Sequence, residues 1–220
     1  MFRHFKTAVF AGYARLLGIP FVYDHLRPLL AGGYDFSAVY NCLDCRSEHV
    51  VVDIGCGTGA ALGYISSFSS YHGFDVDAAS VDKLTRKKNH DKRVCTYTRE
   101  FTYSDLLQLE PDRIIMMGLL HHLSDTQLLT LLGTLVQSAK PFRAITIDPY
   151  ILDGNIISRL FAGADRGRFI RREKEYLRLL EQPGLILRNQ FRLESGNHLA
   201  LFFATCFESD PIPQILRTSH

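Results

Sequence analysis

The residues best equipped for chemistry stand where an apolar run breaks into glycine: Val51-Val52-Asp53-Ile54-Gly55-Cys56-Gly57-Thr58-Gly59. Glycines at alternate positions let the backbone bend sharply and admit a ligand where a Cβ would block it. Amides that open a following helix favour polar or anionic ligand groups. Asp53 precedes the first glycine by two residues, and a second acid, Asp75 in Gly73-Phe74-Asp75-Val76-Asp77, follows Gly59 by 16 positions. A carboxylate ending a second strand can accept hydrogen bonds from both hydroxyls of a ribose. The glycines alone are a weak signal, and the two acids give it weight. Purely structural accounts also exist: Asp53 capping the turn, Gly55 serving a tight bend, Asp75 as a turn residue. Asp77 suits the N-cap of the next helix better than a ligand contact.

Other groups are less specific. His121 and His122 directly follow a very apolar segment, and imidazoles titrate near neutral pH. Cys42-Leu43-Asp44-Cys45 has the spacing of a redox pair or half a zinc site, but no second pair accompanies it, so incidental thiols are the simpler reading and no metal is expected. Residues 166–178 carry six basic side chains against Glu173 and Glu175. Arginine forks there suit phosphate or carboxylate, although pairing with neighbouring acids explains them equally well.

Elements must position these groups. Residues 50–54, 71–76, 93–98, 113–117 and 143–148 read as strands, and 60–67, 78–89 and 125–138 as helices, the last burying Leu128, Leu129, Leu131, Leu132 and Leu135. Lys83, Arg86, Lys87 and Lys88 read as a solvated helix face. Strands alternating with helices imply a mostly parallel sheet covered on both faces. Two closing strands, 184–193 and 199–207, are joined by Glu194-Ser195-Gly196-Asn197, a loop short enough only for an antiparallel hairpin. The fold class is therefore α/β and Rossmann-like, in a single domain over 1–220. Within it, 1–45 is an accessory helical region, 48–150 a ligand-binding core, 150–183 an insert and 184–207 the closing strands.

Composition narrows the class. The chain has 220 residues, 46% hydrophobic and 22% charged, which suits one ordinary globular domain rather than a disordered or fibrous chain. Its formal charge of +2 is far from that of a polyelectrolyte binder, so no nucleic-acid partner is expected. Five cysteines, an odd number, do not read as a disulfide framework and point to a reducing, cytoplasmic setting. The apolar stretch 5–22 is interrupted by Lys6 and Arg15 and closed by Pro20. It reads as an accessory helix from about 5 to 18 rather than a membrane span or signal peptide, with a membrane-surface helix as the minor alternative.

The glycine loop, the Gly73-Phe74-Asp75 segment, the run 112–123 and Ala144-Ile145-Thr146-Ile147-Asp148-Pro149 agree in order and spacing with one known family. Together they resemble the cofactor-binding half of class I S-adenosylmethionine-dependent methyltransferases, and Asp165-Arg166-Gly167-Arg168-Phe169-Ile170-Arg171 is similar to a segment of bacterial members acting on small molecules. The resemblance covers 48–150 well and extends to 184–207. It implies a seven-stranded sheet whose last strand is antiparallel, and S-adenosylmethionine as cofactor. Gly55, Gly57 and Gly59 would line the methionine portion and Asp53 would help hold its ammonium. Asp75 would bind the ribose, Val76 would pack on the adenine, and Gly118 and Leu119 would offer backbone near the sulfonium. Glu100 and Phe101 stand where the family usually has Gly-Asp to meet the adenine amino group, with Asp105 a second candidate. A nicotinamide-binding Rossmann protein is the nearest alternative, but it wants Gly-x-Gly-x-x-Gly, and here Ala60 takes the last place.

Methyl transfer from a sulfonium asks mainly for alignment, and a hydroxyl acceptor asks also for a base. His122 is the first candidate and His121 the second. In the accessory and insert regions, Tyr23 (with Tyr13 nearby), Arg168 and Arg171 are candidates to contact an anionic small-molecule acceptor. The alternatives are a nucleic-acid or protein methyltransferase, or a non-catalytic binding module on the same fold.

Overall fold

The computed structural model describes residues 35–152, 168–182, 184–194 and 201–209. The expected helix at 5–18, Tyr13, Tyr23, most of the 150–183 insert and all but Glu194 of the expected 194–197 turn lie outside the described residues.

Helix α1 (Ser37–Leu43) precedes strand β1 (Val50–Ile54). The chain continues through β2 (Ser70–Asp75), α2 (Ala78–Lys88), β3 (Val94–Thr98), α3 (Tyr103–Leu109), β4 (Arg113–Met117), α4 (Asp125–Leu135) and β5 (Arg143–Ile151). A two-residue β6 (Arg171–Arg172), helix α5 (Glu173–Leu180), β7 (Leu185–Glu194) and β8 (Leu201–Ser209) complete it. The strands lie in the order β3-β2-β1-β4-β5-β8-β7, with β6 pairing β5 off this path. Strands β1 to β5 pair in parallel, and β8 runs antiparallel to both β5 and β7. The expected mostly parallel sheet with an antiparallel last strand is thus the one found. The chain winds outward from β1 to β3 and then returns to β4, so the sheet reverses direction between β1 and β4. Open α/β sheets bind ligands outside the carboxyl ends of their strands at such a point.

Period-two alternation sorts the strands' side chains onto two faces. Val52, Ile54, Ile114, Met116 and Ala144 face a core closed by Leu106 of α3, Leu128, Leu132 and Leu135 of α4, and Tyr176, Leu179 and Leu180 of α5. Val51, Ile115, Ile145 and Ile147 face the other, closed by Val39, Tyr40 and Leu43 of α1 and Leu84 of α2. In α4 the buried leucines recur at helical spacing, whereas Leu129, expected to be buried, is exposed, and Leu131 is only partly covered.

Three local readings change. The expected helix at 60–67 is only a short 3-10 turn, Ala60–Gly63, because Gly63 and the serines at 66, 67, 69 and 70 are poor helix formers. The next segment instead folds inward on Ile65 and Phe68. Helix α3 is not among the expected elements, whereas α1 falls within the accessory helical region expected over 1–45. Strand β5 outruns 143–148, through Pro149 to Ile151. It can do so because its pairing with β4 ends at Ile147. Backbone groups two residues apart in a strand point the same way, so the missing N–H of Pro149 faces the side that β4 has already left. The Pro149 carbonyl there accepts from Tyr176 Oη at 3.0 Å.

The antiparallel insertion of β8 is marked by a hydroxyl pair, Thr146 Oγ1 to Thr205 Oγ1 at 2.7 Å, fully enclosed between β5 and β8. Thr205→Val should leave the Thr146 hydroxyl unsatisfied and cost about 1–3 kcal/mol. Replacing both threonines by valine should cost less than the single change, as read by urea unfolding of the three variants.

Candidate functional site

The site is built from strand ends. The turn after β1 is tied to β2 by the Phe74 carbonyl, which accepts from Gly55 N at 2.8 Å and Cys56 N at 3.0 Å. Asp75 then accepts from Gly57 N through Oδ2 and from Asp77 N through Oδ1, both at 2.8 Å. Gly57 has a positive φ of 50°, and a Cβ built on it would meet nothing within 4 Å, so its outer side is open to a ligand. Gly59 is glycine for a different reason: a Cβ there would collide with Leu84 of α2, so it sets how closely the helix packs on the loop. Cys56 lies under the loop, and a Cβ on Gly73 would stand 2.9 Å from its Sγ, which explains the glycine within β2.

Asp53 is 2% exposed, on the face closed by α1. Tyr71 Oη donates to its Oδ2 at 2.6 Å, while Oδ1 has no partner among the described residues. Burial pushes its pKa from 3.8 up to about 7; the Tyr71 hydrogen bond pulls the other way, and the nearby Asp75 charge adds to the rise. Val76, just past β2, is 69% exposed. Glu100 is exposed and Phe101 sits edge-on to Phe74 at 5.3 Å. Asp105 is engaged elsewhere. It binds the Arg99 fork through both oxygens at 2.6 Å and closes the capping box of α3 with Thr102, which holds its pKa down at about 2.

The second half of the site follows β4. Gly118 N donates to Ile147 O at 2.7 Å, and the Leu119 side chain packs over Gly55, 3.1 Å from where a Cβ would stand. The next residues form a 3-10 turn, Leu120–His122. His121 is buried, and its Nδ1 lies 2.7 Å from Asp148 Oδ1, which also accepts from the His121 amide. Burial raises the Asp148 pKa, opposed by the hydrogen bond and charge of His121. The His121 ring lies beside the backbone at Gly118, its Cε1 3.8 Å from a Cβ built there. His122 is exposed and its ring lies 4.1 Å from that of His121.

The structure therefore brings Asp53, Gly55, Gly57, Gly59, Asp75, Val76, Gly118, Leu119, His121 and His122 to one edge of the sheet, with Glu100 and Phe101 beside it after β3. Asp148, the partner that distinguishes the two histidines, is not among the candidates from sequence; the acid ending the apolar run 143–148 is the available signal. Arg168 is exposed. Arg171 requires a correction as an acceptor contact: it is 6% exposed, and its guanidinium is taken up by Asp125 and three backbone carbonyls. Among the described residues no cluster of His, Cys, Asp and Glu is able to hold a metal, and no helix is long and apolar enough to cross a membrane.

Residues 52–141 match a family model described as a methyltransferase domain. No curated protein is matched by the sequence. Among solved structures, the pyocyanin biosynthetic protein PhzM is 19% identical, with a TM-score of 0.61 over 80% of this chain and 54% of that one. A SAM-dependent methyltransferase from Methanosarcina mazei is 16% identical, with a TM-score of 0.61 over 78% and 96%. Human N-acetylserotonin methyltransferase, solved in complex with SAM, is 19% identical, with a TM-score of 0.59 over 79% and 51%. The chain thus spans about half the length of PhzM and of the human enzyme, and these likenesses establish the fold. Over residues 52–141 the chain is similar to a methyltransferase domain, and its fold is that of these SAM-dependent methyltransferase structures.

Asp53 makes a testable contribution to stability. Its folded-state pKa of about 7 lies above the ordinary 3.8, so its proton stabilises the fold at low pH, and that contribution is lost as pH rises through about 7. Wild type should therefore lose stability relative to Asp53→Asn between about pH 4 and pH 7 in urea unfolding. Parallel pH profiles for the two proteins would contradict the assignment.

Proposed function

We propose that the protein transfers a methyl group from S-adenosylmethionine to the hydroxyl of a small-molecule acceptor, with His121 as base and Asp148 as its orienting partner. The observation that carries this reading is the buried His121–Asp148 pair set against the Gly118 backbone at the carboxyl edge of the sheet.

Three features fit the cofactor. Gly57 leaves space for close approach, the buried Asp53 oxygen without a partner suits an ammonium, and Val76 offers an exposed apolar side chain to a flat base. Asp75 holds the loop through one lone pair on each oxygen, and the remaining lone pairs suit the ribose hydroxyls. Glu100 and Phe101 flank the adenine end. S-adenosylmethionine, when bound, supplies a methyl group already activated by its sulfonium.

The chain's own residues then orient the acceptor and take its proton. Asp148 accepts from Nδ1, which leaves Nε2 of a neutral His121 as the basic nitrogen. His122, the first candidate from sequence, becomes a wall of the site through its ring contact with His121. Leu152 and Phe169, both exposed, flank the same edge and suit an apolar acceptor body, with Arg168 at its rim for an anionic group. Human N-acetylserotonin methyltransferase, among the matched structures, is likewise named for a small molecule. Single-domain organisation and the acceptor-shaping role of the 150–183 insert belong to the same proposal.

Calorimetric titration with S-adenosylhomocysteine should give binding that weakens sharply in Asp75→Ala. If the ammonium sits at Asp53, binding near pH 7 should release part of a proton, seen as a dependence of the heat on the buffer's ionisation enthalpy. Absence of binding in the wild type would overturn the cofactor reading. With an acceptor found by screening hydroxylated small molecules against methyl-labelled cofactor, Asp148→Asn should lower kcat by about 10²-fold or more at unchanged S-adenosylhomocysteine affinity. Unchanged turnover would remove the dyad from the chemistry.

A further inference from the structure

Arg171 was expected to reach toward an acceptor, and instead its guanidinium is buried and committed to the wall behind the histidines. Nε and one terminal nitrogen donate to Asp125 Oδ1 at 3.0 and 2.8 Å. That second nitrogen also donates to Leu123 O at 2.7 Å, and the other donates to Leu120 O at 2.8 Å and Phe169 O at 3.1 Å. All five N–H donors of the fork are thereby used. The Leu120 and Leu123 carbonyls bracket His121 and His122, so one side chain holds both ends of the turn that carries them.

The same residue links that turn to the strand bearing Asp148. In β6, Arg171 pairs with Tyr150, two residues beyond Asp148, and Phe169 N donates to His121 O at 3.0 Å. The Tyr176 ring, whose hydroxyl caps Pro149, lies 5.7 Å from the guanidinium carbon. Nδ1 of His121 and Oδ1 of Asp148 come from two elements, the turn after β4 and strand β5, and Arg171 spans the gap between them.

We propose that Arg171 is a positioning residue for the proton-transfer step: it clamps the post-β4 turn to the end of β5 and so keeps the His121 proton on Nδ1, facing Asp148. The proposal rests on the dyad reading above, and its distinctive requirement is a fork. A lysine ammonium concentrates its donors on one atom and cannot serve Leu120, Leu123 and Asp125 together, so Arg171→Lys should behave as a loss of function despite keeping the charge.

The test reads the tautomer directly in the free, full-length protein by nitrogen-15 NMR of labelled histidine. Wild type should show His121 fixed as the Nδ1–H form. Arg171→Lys and Arg171→Met should show an averaged tautomer, with amide exchange in the peptide 119–124 faster by roughly tenfold or more. Asp125→Asn, which keeps an acceptor at the same place, should retain the fixed tautomer, and it is the control should the Met variant not fold. Variants that unfold more easily but keep His121 as the Nδ1–H form would make Arg171 a stabilising residue only and overturn the proposal. Because the signal is read without cofactor, failure of wild type to bind S-adenosylhomocysteine would count against the function proposed above and leave this result separately readable.

Discussion

The carbonyl of Phe74 accepts two amides at once, from Gly55 and Cys56, and the first half of the site depends on that bifurcated contact. A glycine-rich turn has little side-chain packing to define it, and its conformational entropy is correspondingly costly to remove. Anchoring its first two amides to the end of β2, and a third at Gly57 to Asp75, converts a flexible segment into a fixed surface of backbone. The register of β1 against β2 sets this distance, with Asp53 opposite Gly73 and Ile54 opposite Phe74. Slipping that pairing by one residue would move Asp53 to the opposite face of the sheet and separate the loop from its acceptors. Gly73 and Cys56 make the fit specific, since neither accommodates a larger neighbour.

The second half is held by side chains rather than backbone. The loop after β4 has one main-chain link to β5, Gly118 N to Ile147 O, and beyond it relies on Asp148, Arg171 and Tyr176. These groups are buried and polar, so each is costly to leave unmatched and the arrangement tolerates few alternatives. Such a network confers geometric definition more than net stability. That suits a segment required to hold an imidazole at one orientation while the neighbouring edge admits ligands.

What could be read from the chain beforehand follows from how local each cause is. Strands β1 and β4 fall at 50–54 and 113–117 as their apolar runs imply, and the glycine loop and Asp75 were visible because their signal lies within a few residues. Helix α3 was missed although its cap is local: Thr102 and Asp105 form a capping box with aspartate where glutamate or glutamine is usual. The choice between His121 and His122 is not local. Adjacent residues on a 3-10 turn point in different directions, and only the arrival of Asp148, 27 residues later, marks His121 as the inward one. Arg171 was misread for the same reason. Its partners at Leu120, Leu123 and Asp125 lie 46 to 51 residues earlier, whereas a cluster of basic residues in sequence suggests a charged surface.

The two buried carboxyls bear on the kind of ligand this edge can accept. Asp53 at the end of β1 and Asp148 on β5 flank β4 from opposite sides, and each has one oxygen without a partner among the described residues. Each is matched by a single side-chain donor, a phenol for Asp53 and an imidazole for Asp148, and burial raises the pKa of both. A ligand bearing a pyrophosphate would set further negative charge beside these acids, at a cost that grows as the site is desolvated. A ligand carrying positive charge would instead favour their ionised forms. The glycine-rich loop common to nucleotide sites therefore occurs here in an electrostatic setting that disfavours a dinucleotide and favours a cationic nucleoside, which is the distinction that the glycine spacing alone draws only weakly.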